Sequence, residues 1–148
     1  MSWRIIDESD LASAISQREI DVFRKDGAVD GSDPVDRLLA STAGFVRAYV
    51  ASNGSVRLAP DPRSLPDALI GPAMALAAYD VLKRFPVEVG QDRKAARDEA
   101  MRILDLVREA KLNVESYGAS DADQTGGSAI EVVTSSRHRA TSAAMEGW

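Results

Sequence analysis

The hydrophobic pattern is clearest between residues 33 and 54. Val35, Leu38, Leu39, Thr42, Val46, Tyr49 and Val50 recur at spacings of three and four. They therefore share one side of a helix of about four turns. Both ends are marked. Asp33-Pro34 joins a capping side chain to a proline at the first helical position. Asn53-Gly54 supplies two residues that tolerate the left-handed backbone closing a helix. Asp7 is a second candidate cap: Glu8 and Asp10 place acids in a first turn, where the helix dipole favours them, and Leu11, Ala14 and Ile15 follow at helical spacing. A shorter helix is expected over 18–25 with Ile20 and Phe23 inward. Residues 27–33 read as a polar, glycine-containing loop.

Downstream, residues 55–65 carry Pro60 and Pro62 and three side chains able to bear charge, Arg57, Asp61 and Arg63. A loop of this length in a small domain is often functional. Pro66 opens the next helix, and Pro72 falls inside it. An interior proline removes one hydrogen bond and crowds the carbonyl four residues back. Two alternatives follow: a kink near Ala68, or a main helix that starts only at Gly71-Pro72. In either case it continues through Met74, Leu76, Ala77, Ala78, Tyr79 and Leu82 until Pro86 stops it. The last helix is expected over 92–111. Its inner face is Ala96, Ala100, Ile103, Leu104 and Val107, and its outer face carries Arg93, Arg97, Asp98 and Arg102. Asp98 and Arg102 are four apart and suited to an ion pair of about 0.3–0.5 kcal/mol. That outer face is either simply solvated or a place where subunits match opposite charges. The expected fold class is all-α: a compact bundle of about five helices with a long connecting loop, over residues 1–115, and an extended C-terminal tail, 116–148.

The tail reads differently. From residue 112 onward, serine, alanine, glycine and threonine dominate, and a segment with so little apolar content rarely orders alone. Neighbouring copies or a partner are expected to hold it. Residues 119–128 read as flexible. Ile130, Val132 and Val133 lie in a stretch of β-type residues that suits strand addition to a neighbour. Arg137-His138-Arg139 is the tail's basic cluster, and Trp148 is a candidate anchor for a partner pocket.

Composition narrows the chemistry. Of 148 residues, 45% are hydrophobic, enough for a core, but only 5% are aromatic, so alanine supplies much of the packing and favours helix over strand. The absence of cysteine removes disulfides, thiolate metal sites and cysteine nucleophiles, and suits a reducing cytosol. No long apolar run follows Met1, so neither a signal peptide nor a membrane span is expected. Net charge is −5. Up to Lys111 there are 16 basic and 18 acidic residues, and beyond it two and five. Neither part has the basic field of a nucleic-acid binder. His138 is the lone histidine, so a zinc site lacks its other ligands. The carboxylates are dispersed, and no acid–base pair stands out. Gly126-Gly127 lacks the strand-then-helix setting of a phosphate loop. No catalysis and no cofactor are expected.

The ordered set of elements resembles the head–tail connector (adaptor) proteins of Mu-like and related tailed phages. The features that carry it are Asp7 as cap with Asp10-Leu11, the third-helix set Val46, Tyr49 and Val50, and a proline-led helix with Pro66, Leu69, Ala77, Ala78, Tyr79 and Leu82. The last helix adds Ala100, Ile103, Leu104 and Val107. The likeness spans roughly residues 5–115. Arg47 departs from the acid usual after the apolar position, and residues 53–58 replace a family stretch. The resemblance implies a homo-oligomeric ring of about twelve copies, closed by head-to-tail contacts, in the neck of a virion assembled in the host cytoplasm. The ring would dock on the portal protein, meet a downstream neck or tail protein, and pass DNA through its lumen. An acidic protein suits that lumen, because it repels phosphate. Docking would fall to Arg57, Asp61 and Arg63 in the loop and to the tail residues Ile130, Val132, Val133, Arg137, His138, Arg139 and Trp148. Arg93, Arg97, Asp98 and Arg102 would meet the next subunit. The alternative is a small helical regulatory or chaperone-like protein acting as monomer or dimer.

Overall fold

A computed structural model of the chain describes residues 2–27 and 31–118. Five helices and a two-stranded ribbon follow in the order β1 (Trp3–Ile5), α1 (Glu8–Ala12), α2 (Gln17–Gly27), α3 (Pro34–Asn53), β2 (Ser64–Pro66), α4 (Asp67–Leu82) and α5 (Gln91–Arg108). The fold is a compact helical bundle in which the ribbon is a minor part.

The expected caps form. The Asp7 side chain accepts from the Ser9 and Asp10 backbone, and Asp10 reaches back to the Asp7 N–H, completing a capping box. Asp33 accepts from the Val35 N–H with Pro34 at the helix start, and Gly54 ends α3 at φ +75°. Along α3, Val35, Leu39, Thr42, Val46 and Val50 are all buried, with Leu38 and Tyr49 packed beside them. The α2–α3 turn is tight for a specific reason: a Cβ on Gly27 would sit 2.9 Å from the Pro34 Cβ.

The centre of the bundle is α4. Leu69, Ala73, Met74, Ala77, Ala78 and Val81 are buried around most of its circumference, and it touches α1, α2, α3, α5 and β2. Its start decides between the two alternatives for Pro72. The helix begins at Asp67, ahead of the proline, and Pro72 lies in its second turn. The lost hydrogen bond is the one to the Ala68 carbonyl, on an exposed residue at the start of the helix, where water can reach it. The start of α3 lies beside the end of α4. Asn53 Nδ2 donates to the Val107 carbonyl at 2.9 Å, so α3 runs against α4 and alongside α5.

Three expectations need correction. First, α5 stops at Arg108 rather than Lys111, because Ala110 turns to φ +59° and the N–H groups of Lys111 and Leu112 both fold back to the Leu106 carbonyl. Second, Ala96 is exposed; the inner face of α5 is Ala100, Leu104 and Val107, with Ile103 partly covered. Third, the chain after residue 112 does not leave the fold at once. Val114 is buried, the Trp3 indole N–H donates to the Glu115 carbonyl at 2.7 Å, and the Tyr117 N–H donates to the Arg57 carbonyl at 2.8 Å. The compact unit extends to Tyr117.

The ribbon was not foreseen. β1 and β2 pair antiparallel, with Trp3 opposite Pro66, Arg4 opposite Leu65 and Ile5 opposite Ser64. The Asp67 N–H donates to the Ser2 carbonyl and the Ile6 N–H to the Arg63 carbonyl. The ribbon therefore extends directly into the starts of α4 and α1.

Leu104 is fully buried where α5 meets the core. Leu104→Ala is expected to cost about 2–5 kcal/mol in urea unfolding, whereas Ala96→Ser, on the exposed face, should change stability by less than about 0.5 kcal/mol. Equal effects would show that the two faces of α5 are assigned wrongly.

Candidate functional site

The 55–65 loop is held from inside by two arginines. Arg47, half-buried on α3, donates from Nη1 to the Ser64 carbonyl at 2.9 Å and from Nη2 to the Ala59 carbonyl at 2.7 Å. Its guanidinium also lies over the Trp3 ring, 5.8 Å from the centroid. One side chain thus ties α3, the loop and the ribbon together. Arg63 performs the reverse reach. Its Nη2 donates to the Ile6 carbonyl at 3.1 Å, and Nη1 lies 3.6 Å from Asp36 Oδ1. Charged donors on carbonyls are among the stronger hydrogen bonds, at about 1.5–3 kcal/mol each.

The other loop residues have local roles. Asp61 is exposed, and its carboxylate accepts from the Arg63 N–H at 2.8 Å while its carbonyl accepts from the Ser64 N–H at 3.1 Å, forming the turn into β2. The Arg57 N–H donates to Ser116 Oγ at 3.0 Å. Its side chain is exposed. Of the three charged loop residues, Arg57 and Asp61 present their side chains outward, and Arg63 spends its guanidinium within the fold.

The four charged residues singled out on α5 do not share one surface. Arg93 turns toward the α1–α2 connection and donates to the Ala14 carbonyl. Arg97 lies over the Tyr79 ring at 5.2 Å from the centroid, with its Nη1 3.4 Å from Asp98. Asp98 and Arg102 point into solvent on another face. The expected Asp98–Arg102 pair does not form: Arg102 makes a bidentate contact with Glu99 at 2.9 and 2.6 Å instead. The planar guanidinium fork matches a carboxylate one turn away at three residues, and that pair holds the Glu99 carboxyl below its usual range and the Arg102 guanidinium above its own. The tail residues Ile130, Val132, Val133, Arg137, His138, Arg139 and Trp148 lie outside the described residues.

Arginine on an aromatic ring recurs. Arg84 lies over Phe23 and Arg108 over Tyr49, at 5.3 and 5.6 Å. Together with Arg47 and Arg97, these contacts place guanidinium groups on rings from four elements of the fold. Near β1, Arg4 forms a bidentate contact with Asp10 at 3.0 and 2.6 Å. The hydrogen bond from Arg4, against the opposing effect of burial, holds the Asp10 carboxyl below the ordinary range. Among the described residues no group of three or more histidines or carboxylates is arranged to hold a metal, and no helix is long and apolar enough to cross a membrane.

No protein-family model, curated protein or solved structure matches the chain.

Two outcomes follow from these contacts. Arg47→Ala should raise hydrogen exchange at the amides of Arg57 and Ser64 by about tenfold or more, the effect of losing charged hydrogen bonds of about 1.5–3 kcal/mol, with the amides of α5 unchanged. Unaltered exchange would mean that the loop is held without Arg47. Asp10 sets a pH dependence. Its folded-state pKa is depressed, so its stabilising effect is present above the ordinary carboxylate pKa and fades as pH falls through the folded value. The stability difference between wild type and Asp10→Asn should therefore hold above about pH 5 and shrink as pH falls from there to below about pH 3. A constant difference would remove Asp10 from the acid response.

Proposed function

We propose that this chain is a structural head–tail connector of a tailed bacteriophage, a ring-forming adaptor seated below the portal and carrying no catalytic step. The observation that carries this reading is the order and placement of the elements behind the connector resemblance. Asp7 caps α1, which bears Asp10-Leu11. Val46 and Val50 face the core from α3 with Tyr49 beside them. Pro66 leads α4 and Val107 closes the inner face of α5. The clamped 55–65 loop adds support, because an outward segment held by Arg47 and Arg63 loses little entropy on docking.

In this reading the bundle is the ring body, copies meet head to tail, and about twelve of them close the ring. The loop and residues 119–148 reach the portal and the next neck or tail protein. DNA passes through the lumen without sequence-specific contact. A dimeric regulatory or chaperone-like protein is the second reading, favoured by the self-complementary charge around the α4–α5 turn described below.

Electron cryo-microscopy of the full chain mixed with the portal protein of its phage tests the proposal. A closed ring bound to the portal is the expected result, and a chain that never binds the portal would end the connector reading. Deleting residues 119–148 should leave a folded helical unit that no longer joins heads to tails. Infectious particles assembled from the truncated protein would overturn the docking role given to that segment.

A further inference from the structure

At one end of the bundle, where α2 and α4 finish and α3 and α5 begin, three hollows adjoin. The largest, about 510 Å³, is an apolar groove whose lining includes Val22, Leu82, Phe85 and Val89. One wall of it is the α4–α5 turn, which projects at Val87-Glu88. Val87 is 74% exposed, more than any other large hydrophobic among the described residues, and the Glu88 side chain is 86% exposed. A second hollow, about 300 Å³, is lined by Phe23, Pro34 and Leu38 together with Arg37, Lys83 and Arg84. The third, containing Phe23, Arg84 and Phe85, links the other two.

The charges on this end are informative. Arg18, Arg37, Lys83 and Arg84 are its cations. Glu19, Asp26, Asp80 and Glu88 are its anions, equal in number. Lys83 pairs with Asp80 at 2.9 Å. Arg84 lies on Phe23 and Arg37 donates to the Gly27 carbonyl at 2.8 Å, and among the described residues neither forms an ion pair. Glu88, itself exposed, reaches Lys94 at 3.3 Å, a surface contact of little energy. An apolar turn carrying an exposed acid thus forms one wall of the apolar groove, while the adjoining hollows carry Arg37 and Arg84, which have no carboxylate partner among the described residues. Among the described residues the charges lining the patch balance, so it is built neither for a polyanion nor for a strongly acidic segment, each of which needs an excess of positive charge. Adjacent, complementary halves of one neutral patch are what an isologous two-fold contact requires.

We propose that this end is the docking surface for a second copy of the chain, with Val87 of each copy entering the Val22–Phe85 groove of the other and Glu88 pairing with the Arg84 of that copy. The contact buries the exposed Val22 and Val87 and gives Arg84 a carboxylate partner. It goes beyond the connector reading and does not rest on it. A two-fold contact cannot close a ring, so a connector ring would use other faces.

Sedimentation of the full chain over a range of concentrations tests the pairing. Wild type should show a reversible monomer–dimer equilibrium. Glu88→Arg and Arg84→Glu should each weaken it by about tenfold or more, and the double variant should recover it. Val87→Asp should abolish it, with circular dichroism unchanged because the side chain lies outside the core. A monomer at every concentration would overturn the proposal, as would a dimer or a larger ring indifferent to these substitutions. Failure of the double variant to recover would overturn the Glu88–Arg84 contact. A monomer that instead binds a polyglutamate peptide through Arg84 would replace the second copy with an acidic partner. Portal binding is read separately, so a monomeric chain that still forms a ring on the portal would remove this proposal and leave the connector reading intact.

Discussion

Helix α4 has almost no face to offer water. Asp67 and Asp80 are its only charged residues, and buried side chains lie on nearly every side of it. Such a helix is soluble only when wrapped, and the rest of the fold meets that constraint. The amphipathic α3 and α5 each lay one stripe against it, α1 and α2 cover a further side, and β2 leads into its first turn. Alanines at 73, 77 and 78 let these neighbours approach closely. The core therefore combines close helix contacts at these alanines with branched aliphatic side chains, and Phe23 is its buried aromatic, in keeping with the low aromatic content.

Around that centre, arginine acts mainly as an internal tie. Arg47, Arg63 and Arg93 each donate to a backbone carbonyl far away in sequence, and Arg84, Arg97 and Arg108 cover aromatic rings. Carbonyls in a loop or at a helix end lack regular partners, and a guanidinium can satisfy two at once, as Arg47 does. The result is a loop with fixed geometry but no secondary structure over most of its length. Such a segment can present Arg57 and Asp61 in a constant orientation to whatever binds there.

The helices were legible in the sequence because their signals are local. Asp33-Pro34 and Asn53-Gly54 bracket α3 to within a residue, and the spacing of Val35, Leu39, Val46 and Val50 identifies its buried side. The ribbon was not, because three-residue strands carry no periodicity and the partners lie about sixty residues apart. The end of α5 depended on a left-handed alanine, which composition does not announce. The candidate surface was only partly legible. Charge and exposure marked Asp98, Arg102, Arg57 and Asp61, but Arg63, Arg93 and Arg97 read as surface cations until their carbonyl and ring partners were in place. Val87-Glu88 between Pro86 and Gly90 was a usable signal for a projecting turn, since an apolar residue stood between two breakers.

The contact between Trp3 and the Glu115 carbonyl joins residues 112 positions apart, and this governs the timing of folding. As the chain emerges from the ribosome, β1 is made first, yet β2 follows only after α3. The 112–117 segment that seals the other side of Trp3 comes after every helix. Local contacts within α2 and α3 can form early, while the earliest strand waits for the latest segment of the compact unit. Completion of the compact unit thus waits for the emergence of residues 112–117. Until then Trp3 and the inner side of the ribbon stay open to solvent and to chaperones.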